Sequence, residues 1–248
     1  MGSVQVHTRA ESIRGLGRRW RSAAVAVLLA ATLSPAWGPM AAGEEPVPRS
    51  EPGEEQPTPP AGPPAQIEGF RQARFGMSEE QVRQAIRKDF PAAAAKLTSA
   101  VHPSEKTTVL SLTVTDLLPH TGSARISYIF GYRAKKLIQV NLLWSSDGSP
   151  AADETIVGIA NSLRDYFASE NFASDSVVAN RQLADDAILV FRGGDDQKRT
   201  VLLALSGVAA SARSEEKKAP KPLPLTLELS YIEDPAHPDV FRIGKGQF

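Results

Sequence analysis

Imidazole and carboxylate side chains are the usual parts of a hydrolytic or metal centre, and the chain holds few imidazoles. Beyond His7 near the N-terminus there are three histidines, His102, His120 and His237, and each adjoins a proline. That context places them in turns. None has a second histidine or carboxylate at the spacing of a zinc motif such as HExxH. The closest approach to a cluster is His237 with Asp234 and Asp239, which reads as a solvated loop. The acidic pairs Asp185–Asp186 and Asp195–Asp196 flank strand-like runs, where aspartate commonly bonds its own backbone. Neither sits in a loop with the spaced oxygen ligands that calcium takes. There is no G-x-S-x-G elbow. The C-terminal "GKGQF" lacks the glycine spacing and the Ser/Thr of a phosphate-binding loop. Absence of cysteine removes thiol catalysis, thiolate metal sites, disulfides and a lipid-modified cysteine. No catalytic, cofactor-binding or metal-ligating residue is therefore expected.

The most motif-like stretch is "FGMSEEQVRQAIRKDF", Phe75 to Phe90. Glu79 and Glu80 are adjacent carboxylates, but neighbours on a helix do not face each other. Ser78 and Gln81 have the spacing of a capping box, and Met77 and Val82 that of a hydrophobic staple. Gly76, Met77, Ser78, Gln81 and Val82 thus read as a helix start, with the glutamates at the positive end of the helix dipole.

The elements around it follow from periodicity. Pro91 ends or restarts the helix, and "PAAAAKLTSA" reads as a second short helix stopped before His102–Pro103. "TTVLSLTVT", "ARISYIF" and "KLIQVNLLW" alternate apolar and polar residues as strands do, with "GYRAK" as a hairpin loop. The pattern then restarts. Ser149 and Pro150 open a helix whose apolar stripe is Ile156, Ala160, Leu163 and Phe167. Strands follow in "DSVVAN", "AILVFRG", "RTVLLALSG" and "LTLELSYIE", with "AASARSEEKKAPKPLP" as a charged excursion before the last. The expected fold is α+β, helices packed on one face of an antiparallel sheet, in two successive helix-then-meander units of about 67–148 and 149–248. Tyr128, Tyr132, Trp144 and Tyr231 lie on or beside these strands, either as core residues or as contacts for a ligand or partner.

The run from Gly76 to Val82, with its second short helix and meander, resembles the SmpA/OmlA (BamE-like) outer-membrane assembly proteins. It is also similar to the related beta-lactamase-inhibitor-protein-like fold. The likeness covers roughly residues 69–145. It implies a bacterial cell-envelope protein that works by binding other proteins, and it transfers no catalytic residues. The chain departs from that group in lacking a lipidated cysteine and in continuing for another hundred residues.

The N-terminus sets the expected location. Met1 to Gly43 has five arginines against Glu11, and Ala23 to Gly43 is uncharged, opening with the apolar run "AAVAVLLAATL". This is the layout of a secretory signal peptide. The alternative is an uncleaved inner-membrane anchor facing the periplasm, since the uncharged stretch nears the length of a span. Glu44 to Gln66 has eight prolines in 23 residues and reads as a Pro/Glu-rich disordered linker that the fold does not need. The remainder, from Ile67, carries 22 basic and 22 acidic residues, a balance that argues against nucleic acid as partner. The expectation is an exported, periplasmic or secreted, non-enzymatic module that binds an envelope protein or acts as a scaffold. Membrane contact is expected only with the apolar segment uncleaved. The alternative is a periplasmic small-molecule or lipid carrier.

Overall fold

The computed structural model describes residues 62–184, 186–208, 224–244 and 246. The segments read as a signal peptide and, up to residue 61, as a linker, together with Asp185 and nearly all of the charged excursion, lie outside the described residues. Glu54–Phe248 forms one compact unit. In chain order its elements are β1 (Gly69–Phe70), β2 (Ala73–Arg74), α1 (Glu79–Asp89), α2 (Pro91–Ala94), β3 (Thr98–Val101), β4 (Thr108–Thr115), β5 (Ser123–Phe130) and β6 (Leu137–Ser145). Then come α3 (Pro150–Ala168), β7 (Val178–Ala184), β8 (Ala187–Gly194), β9 (Thr200–Ser206) and β10 (Thr226–Ile232).

The strands β3 to β10 make one antiparallel sheet of order β3-β4-β5-β6-β10-β9-β8-β7. Each half is a four-stranded meander preceded by helix, and the last strands of the two meanders, β6 and β10, pair at the centre. Because side chains alternate across a strand, the register sorts them into two faces. Leu112, Ile126, Leu142, Leu229 and Leu203 align across five strands, as do Leu110, Tyr128, Val140, Tyr231 and Val201. These rows join Val82, Ala85 and Ile86 of α1 and Ile156, Ile159, Ala160 and Phe167 of α3 in one core. The fold is α+β, with α3 packed on β8, β9 and β10 and α2 against β4.

An aromatic seam joins the two halves on this face. The Phe70 ring lies 6.5 Å from Phe90 and 5.8 Å from Tyr231. Tyr231 meets Phe167 edge-on at 6.4 Å, and Phe167 stacks on Phe191 at 5.8 Å. Arg71 stands over Phe90 at 4.6 Å. Such pairs add about 0.5–1.5 kcal/mol each beyond area burial, so the seam is a substantial fraction of a domain's net stability.

The capping box is formed: Ser78 Oγ accepts the Gln81 N–H at 3.4 Å, and Gln81 Oε1 accepts the Ser78 N–H at 2.8 Å. Gly76, at φ 78°, turns the chain so that its N–H reaches Leu137 O at 2.9 Å, while Leu137 N–H returns to Met77 O at 2.9 Å. The helix start is therefore stitched to the first residue of β6.

Four features differ from the expectations. The second helix is only Pro91–Ala94, and Thr98 to Ala100, expected as its end, belong to the edge strand β3. Its side chains are all exposed, so no burial pattern marked it. The first strand after α3 begins at Val178 and runs to Ala184, later than "DSVVAN" suggested. A two-residue hairpin, β1 with β2, precedes α1. Finally, the linker reading extends too far. Ala65 is buried, its N–H reaches Asn171 O at 2.8 Å, and Asn171 Nδ2 donates to Gly62 O at 2.8 Å.

Candidate functional site

The face of the sheet opposite the helices is uncovered by any helix among the described residues, and its central positions form a hydrogen-bonded mosaic. Ser111, Ser127, Asn141, Ser230, Leu202 and Arg192 align in one row across it. Thr113, Arg125, Leu143, Glu228, Ala204, Leu189 and Arg181 form the next. Gln139 Nε2 donates to Asn141 Oδ1 at 2.7 Å, and Asn141 Nδ2 donates to Glu228 Oε1 at 2.8 Å. Ser230 Oγ lies 3.4 Å from the same carboxylate oxygen, and the Ser111 and Ser127 hydroxyls bond each other at 3.0 Å. Burial pushes the Glu228 carboxyl above the usual range, opposed by its bond from Ser230.

A fully solvated face would carry polar residues at alternate positions. This one carries Ile129, Ile232, Leu143 and Leu202, all partly buried, and Val109 and Leu189, which are buried yet stand apart from the helix-side core. Arg125 and Arg181 are exposed towards its two margins. Half-sheltered apolar groups, satisfied polar groups and peripheral arginines are the ingredients of a protein-contact surface. They do not assemble a nucleophile, base and orienting group.

The aromatic candidates separate. Tyr128 and Trp144 are buried in the helix-side core, and Tyr231 is a member of the aromatic seam. All three pack on the helix side of the sheet, Tyr128 and Trp144 fully buried and Tyr231 partly so. Burial also raises the Tyr128 phenol, with Asp89 adding to the shift and Arg71 opposing it. Tyr132, also partly buried, lies outside that core in the β5–β6 turn. It meets the Phe241 ring edge-on at 5.4 Å, with Lys135 Nζ 5.3 Å from its centroid. Around this pair lies an open hollow of about 550 Å³, completed by Arg133, Val240 and Arg242.

The histidines and acids are held locally. His102 Nδ1 accepts the Glu105 N–H at 3.1 Å, and His120 occupies a turn with φ 61°. His237 donates its N–H to Asp234 Oδ1 at 2.9 Å. Asp239 faces elsewhere: its Oδ2 accepts from Ala134 N at 2.8 Å and from Arg133 N at 3.1 Å. Asp195 Oδ1 accepts from Gln197 N at 3.0 Å and Arg199 N at 2.9 Å within the β8–β9 turn. Glu79 binds Arg83, and Glu80 binds Arg87, along α1. Among the described residues no group of three or more His, Cys, Asp or Glu comes together as a metal site.

The sequence pointed past the Gln139–Asn141–Glu228–Ser230 network. Its members were visible as the polar alternates of β6 and β10, but only the pairing of those two strands brings them together. Comparison of the chain with protein-family models, with curated proteins and with solved structures finds no match.

Proposed function

We propose that the chain is an exported cell-envelope protein that binds a partner protein across the open face of its sheet and performs no catalysis of its own. The observation that carries this reading is the composition of that face, half-sheltered and partly apolar where solvent alone would favour a polar surface. Its arginine margins suit a partner with acidic groups at the rim of the contact. Export rests on the N-terminal arginines followed by an apolar run and small residues. The resemblance of residues 69–145 to the SmpA/OmlA (BamE-like) group points the same way, and kinship with that group is part of the proposal. The carrier reading is less well supported. The space between helices and sheet is filled by Trp144, Tyr128, Phe130, Ile126 and Ile86, each under 2% exposed.

Photo-crosslinking in intact cells tests this. A crosslinker at Ser127 or Leu202 should yield a discrete protein adduct in the envelope fraction. One at Glu154 or Asn161, exposed on α3, should not. Adducts from α3 alone, or a co-purifying lipid mass in a native spectrum with none from the face, would reject the reading.

A further inference from the structure

The β5–β6 turn and the β8–β9 turn lie at the same end of the sheet, because β6 and β9 both run antiparallel to β10. Three features converge on that end. The described chain enters there, with Ile67 N bonded to Asp195 Oδ2 in the β8–β9 turn. The C-terminal segment crosses it, held by Tyr132 N to Asp239 O at 2.8 Å and Phe241 N to Glu105 O at 2.8 Å. The hollow of Tyr132, Arg133, Lys135, Val240, Phe241 and Arg242 opens there.

The hollow joins three cations to exposed apolar groups. Phe241 is 37% exposed and Ile243, just beyond it, 60%. Of the acids nearby, Asp239 turns its carboxylate onto the amides of Arg133 and Ala134, Asp234 onto those of Ala236 and His237, and the Glu105 carboxylate lies 3.8 Å from His102 Nδ1. Cationic groups around a protruding aromatic and an aliphatic side chain match the headgroup layer of an anionic bilayer. Phosphates meet the cations, and the rings sit at the interface.

We propose that this end of the domain docks on an anionic membrane surface, with the hollow taking a lipid phosphate and Phe241 and Ile243 entering the headgroup layer. The eighteen residues from Glu44 to Ala61 reach at most about 60 Å, so an apolar N-terminal segment held in the bilayer keeps this end within range. Docking stands the sheet on its end and leaves the open face clear for a protein. The membrane contact is thus independent of what that face binds.

Flotation with vesicles tests it, using the chain from Glu44, which carries the whole compact unit and lacks the apolar segment. The protein should float with vesicles of equal parts phosphatidylglycerol and phosphatidylcholine at low salt, and stay behind with phosphatidylcholine alone. Each cation near such a surface is worth about a fivefold gain in partitioning. The combined change Arg133→Gln, Lys135→Gln and Arg242→Gln should therefore lower it roughly a hundredfold. Phe241→Ser with Ile243→Ser should weaken it while leaving the salt dependence. Unchanged melting temperatures establish that the variants are folded. Equal flotation with both vesicle types, or none with either, overturns the proposal. So does protection by inorganic phosphate of a protein that does not float, which would make the hollow a site for the free ion.

Discussion

Asp195 Oδ2 accepts the backbone N–H of Ile67 at 3.1 Å across 128 positions of chain. The same carboxylate holds Gln197 N and Arg199 N, while Arg199 Nη1 donates to Ile67 O at 3.3 Å. One buried side chain thus closes the β8–β9 turn and fastens the entering segment to it. Asp195→Ala leaves several amides without a partner, a loss of about 2–4 kcal/mol. Asp195→Asn keeps an acceptor and should lose less. Urea unfolding measures both, through the midpoint at constant m. A stable Asp195→Ala variant would show that the turn holds without its carboxylate.

The residues just before that bond matter too. A chain starting at Ile67 loses the Ala65 N–H to Asn171 O bond and the buried Ala65 methyl. One starting at Glu44 keeps both. The shorter chain should be about 1–2 kcal/mol less stable, a fall of roughly 2–8 °C in melting temperature for a domain of this size. Asn171→Ala in the longer chain should reproduce part of the fall. Equal melting of the two chains would mean that 62–66 only rests on the domain.

These two bonds mark where the sequence stopped being legible. The capping box of Ser78 and Gln81, and the alternation from Leu225 to Tyr231, are local patterns with local causes. Both appear in the structure. Edge strand β3 was hidden because Thr98 to Val101 buries no face, so it followed the alanine run without a break in pattern. The β1–β2 hairpin is too short to show a period. The polar network of the open face depends on Asn141 meeting Glu228 across 87 positions, and no short-range signal encodes that pairing. Asp195 read as an ordinary turn aspartate, which it also is. Its second bond, to Ile67, is a tertiary event.

Tyr128 offers a test of the core. Its hydroxyl is buried with no hydrogen-bond partner among the described residues. A buried donor left unmatched costs about 1–3 kcal/mol, and removing it by Tyr128→Phe leaves the ring in place. The substitution should be neutral or raise stability by up to about 1 kcal/mol. Tyr128→Ala should cost about 3–5 kcal/mol from the cavity. Chemical denaturation separates the outcomes. A loss above 1 kcal/mol for Tyr128→Phe would reveal a partner for the hydroxyl.

Glu228 should give the fold a pH dependence. Burial raises its carboxyl in the folded state, so the folded chain holds that proton more tightly than the unfolded one. The resulting stability is fully present below the unfolded value of about 4.3. It is lost as pH rises through the folded value, because the folded state binds more protons across that window. Glu228→Gln keeps an oxygen for Asn141 Nδ2 and removes the charge. It should match or exceed the parent at neutral pH and flatten the weakly acidic part of the stability profile. Urea midpoints from acid to neutral pH for both chains decide it. Parallel profiles would mean that another group, such as Glu233, whose carboxyl is also raised by burial, sets the slope.

Gly131 stands at the mouth of the β5–β6 turn. A Cβ there would stand 2.9 Å from Asp239 Cγ and collide with Oδ2. That carboxylate bonds Arg133 N and Ala134 N, and the Asp239 carbonyl takes Tyr132 N. Gly131→Ala therefore sets one methyl against the anchor of the C-terminal segment, with no positive φ to add backbone strain. The released amides lie at the surface and find water, so global stability should fall by about 1 kcal/mol or less. Amide hydrogen exchange should nevertheless quicken at Tyr132, Arg133, Ala134 and Phe241, and stay unchanged at β10. Asp239→Ala should give the same pattern, and the double variant should add little, because both remove one interaction. Exchange unaltered by Gly131→Ala would show that the turn absorbs the methyl and that the segment is held by Phe241 and Tyr132 instead.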